Sequence, residues 1–156
     1  MDIADELRRL VSELNERGVD YALCGGMALA VHGIARTTID IDLLIPAESL
    51  STVFSIAASL NYNVRGMDMS FADGAVEIRR VSKIDPADGE LLSLDLLLVT
   101  PQVLGSWQTR IAVDWEGLKL WVVSRQGLVD LKELRRSDMD LIDIKALKEM
   151  TPNGAS

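Results

Sequence analysis

Gly25-Gly26-Met27-Ala28-Leu29-Ala30-Val31-His32-Gly33, followed by Arg36-Thr37-Thr38-Ile39-Asp40-Ile41-Asp42-Leu43-Leu44-Ile45, is the stretch that decides how this chain reads. Residues 39 to 45 alternate apolar with acidic and then turn fully apolar, the pattern of a strand ended by Pro46. Side chains alternate faces along a strand, so Ile39, Ile41, Leu43 and Ile45 point into a core while Asp40 and Asp42 project together from the other face. Thr38 falls one alternation step before Asp40 and is expected to share its face. Aspartate is disfavoured in strands, and two like charges on one face repel unless something cationic sits between them. A hard divalent ion bound by carboxylate oxygens answers both problems. A solvent-facing strand edge shows the same acidic alternation, so the spacing alone leaves both readings open.

Working outward, Val19 to Cys24 reads as a short buried strand, broken by Gly25-Gly26, with a short helix from Met27 to His32 closed by Gly33. Glycines at a strand-to-helix junction let the backbone approach a phosphate, and the following helix N-terminus offers N–H donors and positive potential. A second source of charge lies further on. Ser93-Leu94-Asp95-Leu96-Leu97-Leu98-Val99 is an intensely apolar strand carrying one carboxylate. A buried unpaired carboxylate is costly, so Asp95 needs a partner, a metal or exposure at a site. If this strand lies beside that of Asp40, three carboxylates converge and suffice for one or two Mg²⁺ ions. The alternative is that Asp95 sits at the strand rim, paired with Arg79, Arg80 or Lys83.

The rest of the chain alternates helical and strand patterns. Residues 3 to 17 form an amphipathic helix, with Ile3, Leu7, Leu10, Val11 and Leu14 on one face. Ala47 to Leu60 reads as a helix, residues 61 to 74 follow neither period, and Val76–Ile84 and Leu91–Thr100 read as strands joined at Asp85-Pro86-Ala87-Asp88-Gly89. Pro101 opens a short helix, and Ile111 to Val123 forms a hairpin around Glu116-Gly117. Ser124 caps a helix running to about Arg136, and Ser137 or Asp138 caps a last one ending near Met150. Strands and helices so mixed predict an α/β or α+β domain, with a mixed sheet flanked by helices. We expect a single domain over residues 1–150, comprising a core of 1–123 and a helix pair of 124–150, with a frayed tail at 151–156.

Composition narrows the partners. The chain has 156 residues, 48% of them hydrophobic and 26% charged, values ordinary for a folded protein. No apolar run approaches the ~20 residues of a membrane span. The acidic start Met1-Asp2-Ile3-Ala4-Asp5-Glu6 lacks an apolar h-region, and Cys24, the one cysteine, cannot form an internal disulfide; both point to the cytoplasm. A formal net charge of -8 disfavours non-specific nucleic-acid binding, which depends on neutralising phosphates. A nucleotide is still compatible if a divalent cation shields it from the carboxylates.

The glycine pair and its spacing to Asp40-Ile41-Asp42 resemble the nucleotidyltransferase superfamily, and the run Arg36-Thr37-Thr38-Ile39-Asp40-Ile41-Asp42 is most similar to the small bacterial AbiEii-toxin-like proteins. The resemblance implies a polymerase-beta-like fold. It also implies an NTP, such as ATP, beside Gly25 and Gly26, Mg²⁺ on Asp40 and Asp42, and a third carboxylate from a later strand, for which Asp95 is the match. The implied reaction is attack of an acceptor hydroxyl on the α-phosphorus, with Asp95 assisting removal of its proton. A tRNA end, a protein side chain or a small molecule can serve as acceptor, and the subgroup implies a toxin with an antitoxin partner. The alternative class is a non-catalytic module that keeps the fold and binds nucleotide.

The resemblance extends to Leu128-Val129-Asp130-Leu131-Lys132 and Asp140-Leu141-Ile142-Asp143-Ile144, which are similar to the family's lysine-containing helix pair. Related sequences carry an arginine five positions after that lysine; here Ser137 stands there, with Arg136 one residue earlier. Lys132 is long enough to extend to a triphosphate, or belongs to a solvated helix face. Arg36 either steadies the aspartates or reaches a phosphate, with a surface ion pair as the alternative. Asp140 and Asp143 share a helix face and can reach Arg36 or Lys132. His32 is expected to cap or pack, and Trp107, Trp115 and Trp121 to pack rather than stack on bases.

Overall fold

Strand β2 (Asp40–Ile45) is fully apolar at its far end because it lies in the middle of a sheet. In the computed structural model, which describes residues 1–150, one eight-stranded sheet runs in the order β3-β5-β6-β2-β1-β8-β7, with β4 paired to β5. Its other strands are β1 (Ala22–Cys24), β3 (Val64–Arg65), β4 (Met69–Phe71), β5 (Val76–Ile84), β6 (Leu91–Leu98), β7 (Ile111–Trp115) and β8 (Leu118–Val122). β2 runs parallel to β6 and antiparallel to β1, and β1 runs parallel to β8, so the sheet is mixed. The expected tail, 151–156, lies outside the described residues.

Among the described residues six α-helices flank the sheet: α1 (Ile3–Glu16), α2 (Gly25–Val31), α3 (Leu50–Ser59), α4 (Leu104–Gln108), α5 (Arg125–Arg135) and α6 (Asp138–Lys148). The apolar face of α1, with Leu10, Val11 and Leu14 at 0% exposure, joins Ile41, Leu43 and Ile45 of β2 and Val53 and Ile56 of α3 in the main core. Asp2 starts α1 by accepting from the Ala4 and Asp5 amides. No helix among the described residues is long and apolar enough to cross a membrane.

Several boundaries differ from the sequence reading: β1 begins at Ala22 instead of Val19, α3 covers Leu50–Ser59 instead of Ala47 to Leu60, and β6 ends at Leu98 instead of Thr100. β2 begins at Asp40, so Thr38 and Ile39 precede it; Ile39 is 75% exposed instead of buried with Ile41, and the alternation that placed Thr38 beside Asp40 does not extend to it. The short helix takes up the glycine pair, beginning at Gly25 instead of Met27. Residues 61 to 74 contribute the edge strands β3 and β4, too short to show a period. The hairpin at Glu116-Gly117 and the caps at Ser124 and Ser137 are as read: Ser124 accepts from the Gly127 amide, and Ser137 and Asp140 form a reciprocal capping box.

Candidate active site

The sheet register lines up one transverse row of side chains. Arg80 of β5 is opposite Asp95 of β6, Asp95 is level with Asp42 of β2, and Asp42 is opposite Cys24 of β1. Register partners on neighbouring strands share a face and are separated by about 4.8 Å between strands. Asp40, two residues before Asp42, lies on the same face, level with Ser93. Asp40, Asp42 and Asp95 are therefore neighbours, brought together by the parallel pairing of β2 and β6.

The three carboxylates are not equivalent. Asp95, 6% exposed, accepts both hydrogen bonds of a bidentate pair with Arg80, from Nε at 2.7 Å and from Nη2 at 2.9 Å. This is one of the ion pairs the sequence left open. Neither the Asp40 nor the Asp42 side chain has a hydrogen bond or ion pair among the described residues. Burial first, then the charge of Asp95, raises the Asp40 carboxyl above its ordinary value. Burial, then Asp95 and Asp40, pushes Asp42 up to about 7, against the opposing pull of Arg80 and Lys132. The buried Cys24 thiol is likewise pushed up, by burial foremost and then by Asp42.

The close approach of β1 and β2 explains the glycine pair. Gly25 adopts φ +69°, and a Cβ there would lie 2.2 Å from Asp42 Oδ2. A Cβ on Gly26 would lie 2.3 Å from Thr38 Cγ2. Gly25 thus turns β1 into α2 while leaving room for a carboxylate, and Gly26 makes room for the segment leading into β2. A cleft of about 160 Å³ opens here, lined by Gly25, Asp42, Ile78, Leu131, Lys132 and Arg135 among others. Gly26, Arg36 and Thr38 do not line it; Thr38 borders a separate apolar cavity of about 470 Å³.

The C-terminal helices are tied to this site through Asp143. Its Oδ1 accepts from Arg36 at 2.6 Å and its Oδ2 from Lys132 at 2.9 Å. Burial alone would raise the Asp143 carboxyl; those bonds outweigh it and hold it below the usual range. Lys132 Nζ also lies 3.5 Å from Asp140. Arg36 therefore braces α6 instead of touching Asp40 or Asp42. Arg136, the nearest match to the missing family arginine, pairs with Glu133 at the surface. The arginine in the cleft is Arg135, stacked over the Phe71 ring at 5.1 Å.

Arg135 lines the cleft without having been placed there by the sequence, and Arg80, one of three partners the sequence left open for Asp95, is the one the register selects. The alternation of β5 places Arg80 on one face with Ile78, but its partner depends on a hairpin register that a long turn leaves unset. His32 behaves as expected, ending α2 and donating from Nε2 to the Val123 carbonyl at 2.9 Å. Trp107 and Trp115 pack against Arg110 and Arg8, with ring distances of 3.8 and 4.6 Å.

No protein-family model matches the chain, and no curated protein matches it by sequence. Solved structures do. A protein from Thermotoga maritima classed as a nucleotidyltransferase superposes with a TM-score of 0.62 at 16% identity, covering 95% of this chain and 94% of that one. A lincosamide antibiotic adenylyltransferase with bound lincomycin gives 0.58 at 17% identity, covering 94% and 97%. ANT(2″)-Ia in complex with adenylyl-2″-tobramycin gives 0.58 at 16%, covering 92% and 86%. The fold is that of the nucleotidyltransferases.

Proposed function

We propose that this chain transfers a nucleotidyl group from an NTP to a hydroxyl acceptor in a Mg²⁺-dependent reaction. The observation that carries the reading is the register of Asp42 with Asp95 on adjacent parallel strands, with Asp40 on the same face and Gly25 and Lys132 lining the adjoining cleft.

The donor set suits a hard cation. Three carboxylates crowd one face, a single guanidinium neutralises one of them, and the nearby Lys132 is engaged by Asp143 and Asp140. Asp40 and Asp42, without internal partners, would hold the ion, with Asp95 beside them. Bound Mg²⁺ would offset the carboxylate charge and polarise the triphosphate for attack of the acceptor oxygen on the α-phosphorus, with pyrophosphate as the leaving group. Lys132 and Arg135 supply positive charge to the phosphates from the α5 wall of the cleft. The backbone of Gly25 lets a phosphate come close without a side chain in the way. Asp95, freed of Arg80, accepts the proton of the acceptor hydroxyl. The cleft is smaller than the ~300 Å³ at which whole-ligand pockets begin, so it holds the phosphates while base and acceptor lie across its open side.

A second reading has one specific observation in its favour. Among the described residues no group of three His, Cys, Asp or Glu side chains already forms a cation site, and both oxygens of Asp95 are on Arg80. A non-catalytic nucleotide-binding module would keep such a pair closed.

Calorimetry with each NTP, with and without Mg²⁺, on native protein and Asp42→Ala tests the site. Metal-dependent binding lost in the variant supports it, and equal binding in both sinks it. Turnover is then sought with labelled NTPs and small-molecule, protein and tRNA acceptors; metal-dependent binding without any labelled product favours the non-catalytic module. The antibiotic adenylyltransferases among the similar folds make a small hydroxylated acceptor the first to try. The toxin role rests on the resemblance of residues 36 to 42 alone, and growth arrest on expression, relieved by Asp42→Ala, is its test.

A further inference from the structure

Arg80 is placed by more than its own charge. The β5–β6 register sets it opposite Asp95, its Nε and Nη2 both donate to that carboxylate, and it has no other ion-pair partner among the described residues. Its stem is seated on Gly66, where a Cβ would lie 3.0 Å from Arg80 Cβ and Cγ and 3.1 Å from Cδ. The Gly66 amide in turn donates to the Arg80 carbonyl at 2.9 Å, fixing that backbone. Yet the Arg80 side chain is 36% exposed, whereas that of Asp95 is 8% exposed. The carboxylate is buried in the sheet, whereas the arginine that holds it is partly open to solvent on a backbone fixed by Gly66.

We infer that Arg80 is an internal counter-ion that occupies Asp95 in the substrate-free protein and releases it when metal and nucleotide bind. This deepens the nucleotidyl-transfer reading and rests on it. One positive charge serves a face with three carboxylates and is bonded to only one, so a divalent ion shared by all three competes directly with the guanidinium for Asp95. The released guanidinium stays beside the cleft, where a phosphate offers the bidentate acceptor it has lost. Arg80 is thus a positioning residue: it keeps the third carboxylate from assembling a cation site in the absence of nucleotide, and it couples metal affinity to nucleotide affinity.

The test is a Mn²⁺ titration followed by electron paramagnetic resonance, without and with a non-hydrolysable NTP analogue, on native protein, Arg80→Gln and Arg80→Lys. In native protein the analogue strengthens Mn²⁺ binding. In Arg80→Gln, Mn²⁺ alone is expected to bind about tenfold tighter and the analogue to add little, since a bidentate charge-assisted pair no longer opposes the ion. Arg80→Lys, which keeps the charge without the fork, is expected to fall between. The native protein also reports directly: the Arg80 Nε–H resonance should lose its carboxylate-bonded position when Mg²⁺ and the analogue are added together. Mn²⁺ affinity unchanged or weakened in Arg80→Gln, or an Nε–H resonance that does not move on saturation, overturns the inference while native metal–nucleotide binding stands. Absence of metal-dependent nucleotide binding in native protein overturns the underlying reading itself.

Discussion

A methyl group on Gly25 would lie 2.2 Å from Oδ2 of Asp42, which places the glycine turn and the acidic strand in direct steric contact. The two segments are one structure: β1 is followed by the only residue type that can turn at φ +69° and still leave space for the carboxylate opposite. Gly25→Ala combines a left-handed backbone with a collision and is expected to cost about 3 kcal/mol in urea unfolding. A Cβ on Gly26, whose φ is not left-handed, would collide with Thr38 Cγ2, its other nearest neighbours lying at ordinary contact distance. Gly26→Ala should therefore be rescued by Thr38→Ser, which removes that methyl, and Gly25→Ala should not. Additive costs for Gly26→Ala and Thr38→Ser would contradict this account.

The Asp42 carboxyl sets a pH dependence of defined sign. Its folded value is about 7 against 3.8 for the free group, so between these the native state keeps a proton that the unfolded chain has lost. Its contribution to stability is full below 3.8 and declines as pH rises toward 7, by up to about 4 kcal/mol. In EDTA, Asp42→Asn is expected to melt several degrees above native protein at pH 8 and about level with it at pH 4. The same difference at both pH values would refute the assignment.

Asp143 acts in the opposite direction. Its folded value is depressed, so its stabilisation is present above the ordinary carboxyl value and is lost as pH falls through the folded one. Asp143→Asn at pH 7 weakens its bonds to Arg36 and Lys132 together and is expected to cost about 2–3 kcal/mol. A double-mutant cycle with Arg36→Met should show a coupling of about 1–2 kcal/mol. Strict additivity would mean that the 2.6 Å contact does not brace the helices.

The start of α6 separates two roles of one carboxylate. Ser137→Ala removes the cap to the Asp140 amide and should cost about 1 kcal/mol by thermal or urea unfolding. Asp140→Ala should cost more, because Asp140 also lies 3.5 Å from Lys132. Equal losses would show that the Lys132 contact contributes nothing.

Much of the fold is legible because local chemistry is unambiguous where it matters. The boundaries of β5, the hairpin at Glu116-Gly117 and the caps at Ser124 and Ser137 follow from alternation, turn residues and side-chain oxygens at helix starts. Thr38 and Ile39 were misplaced for a physical reason as well. Alternation continues through them in sequence, but hydrogen bonding to β1 and β6 begins only at Cys24–Asp42 and Asp40–Ser93, so their side chains are not bound to the strand's period. The partners of Arg80, Arg36 and Lys132 stayed open because a long cationic side chain can meet any carboxylate within its reach, and sequence offers several.

By itself, then, the order of residues determined the strand bearing Asp40 and Asp42, the glycine turn before it and the lone carboxylate at Asp95. Each is a local conflict of charge, conformation or hydrophobicity that a single segment displays. Only the tertiary structure decided that Asp95 stands level with Asp42 and is held by Arg80, and that Asp143 gathers Arg36 and Lys132. Those pairings depend on sheet register and helix docking, which are set by burial of the whole core and leave no trace in the spacing of any one segment.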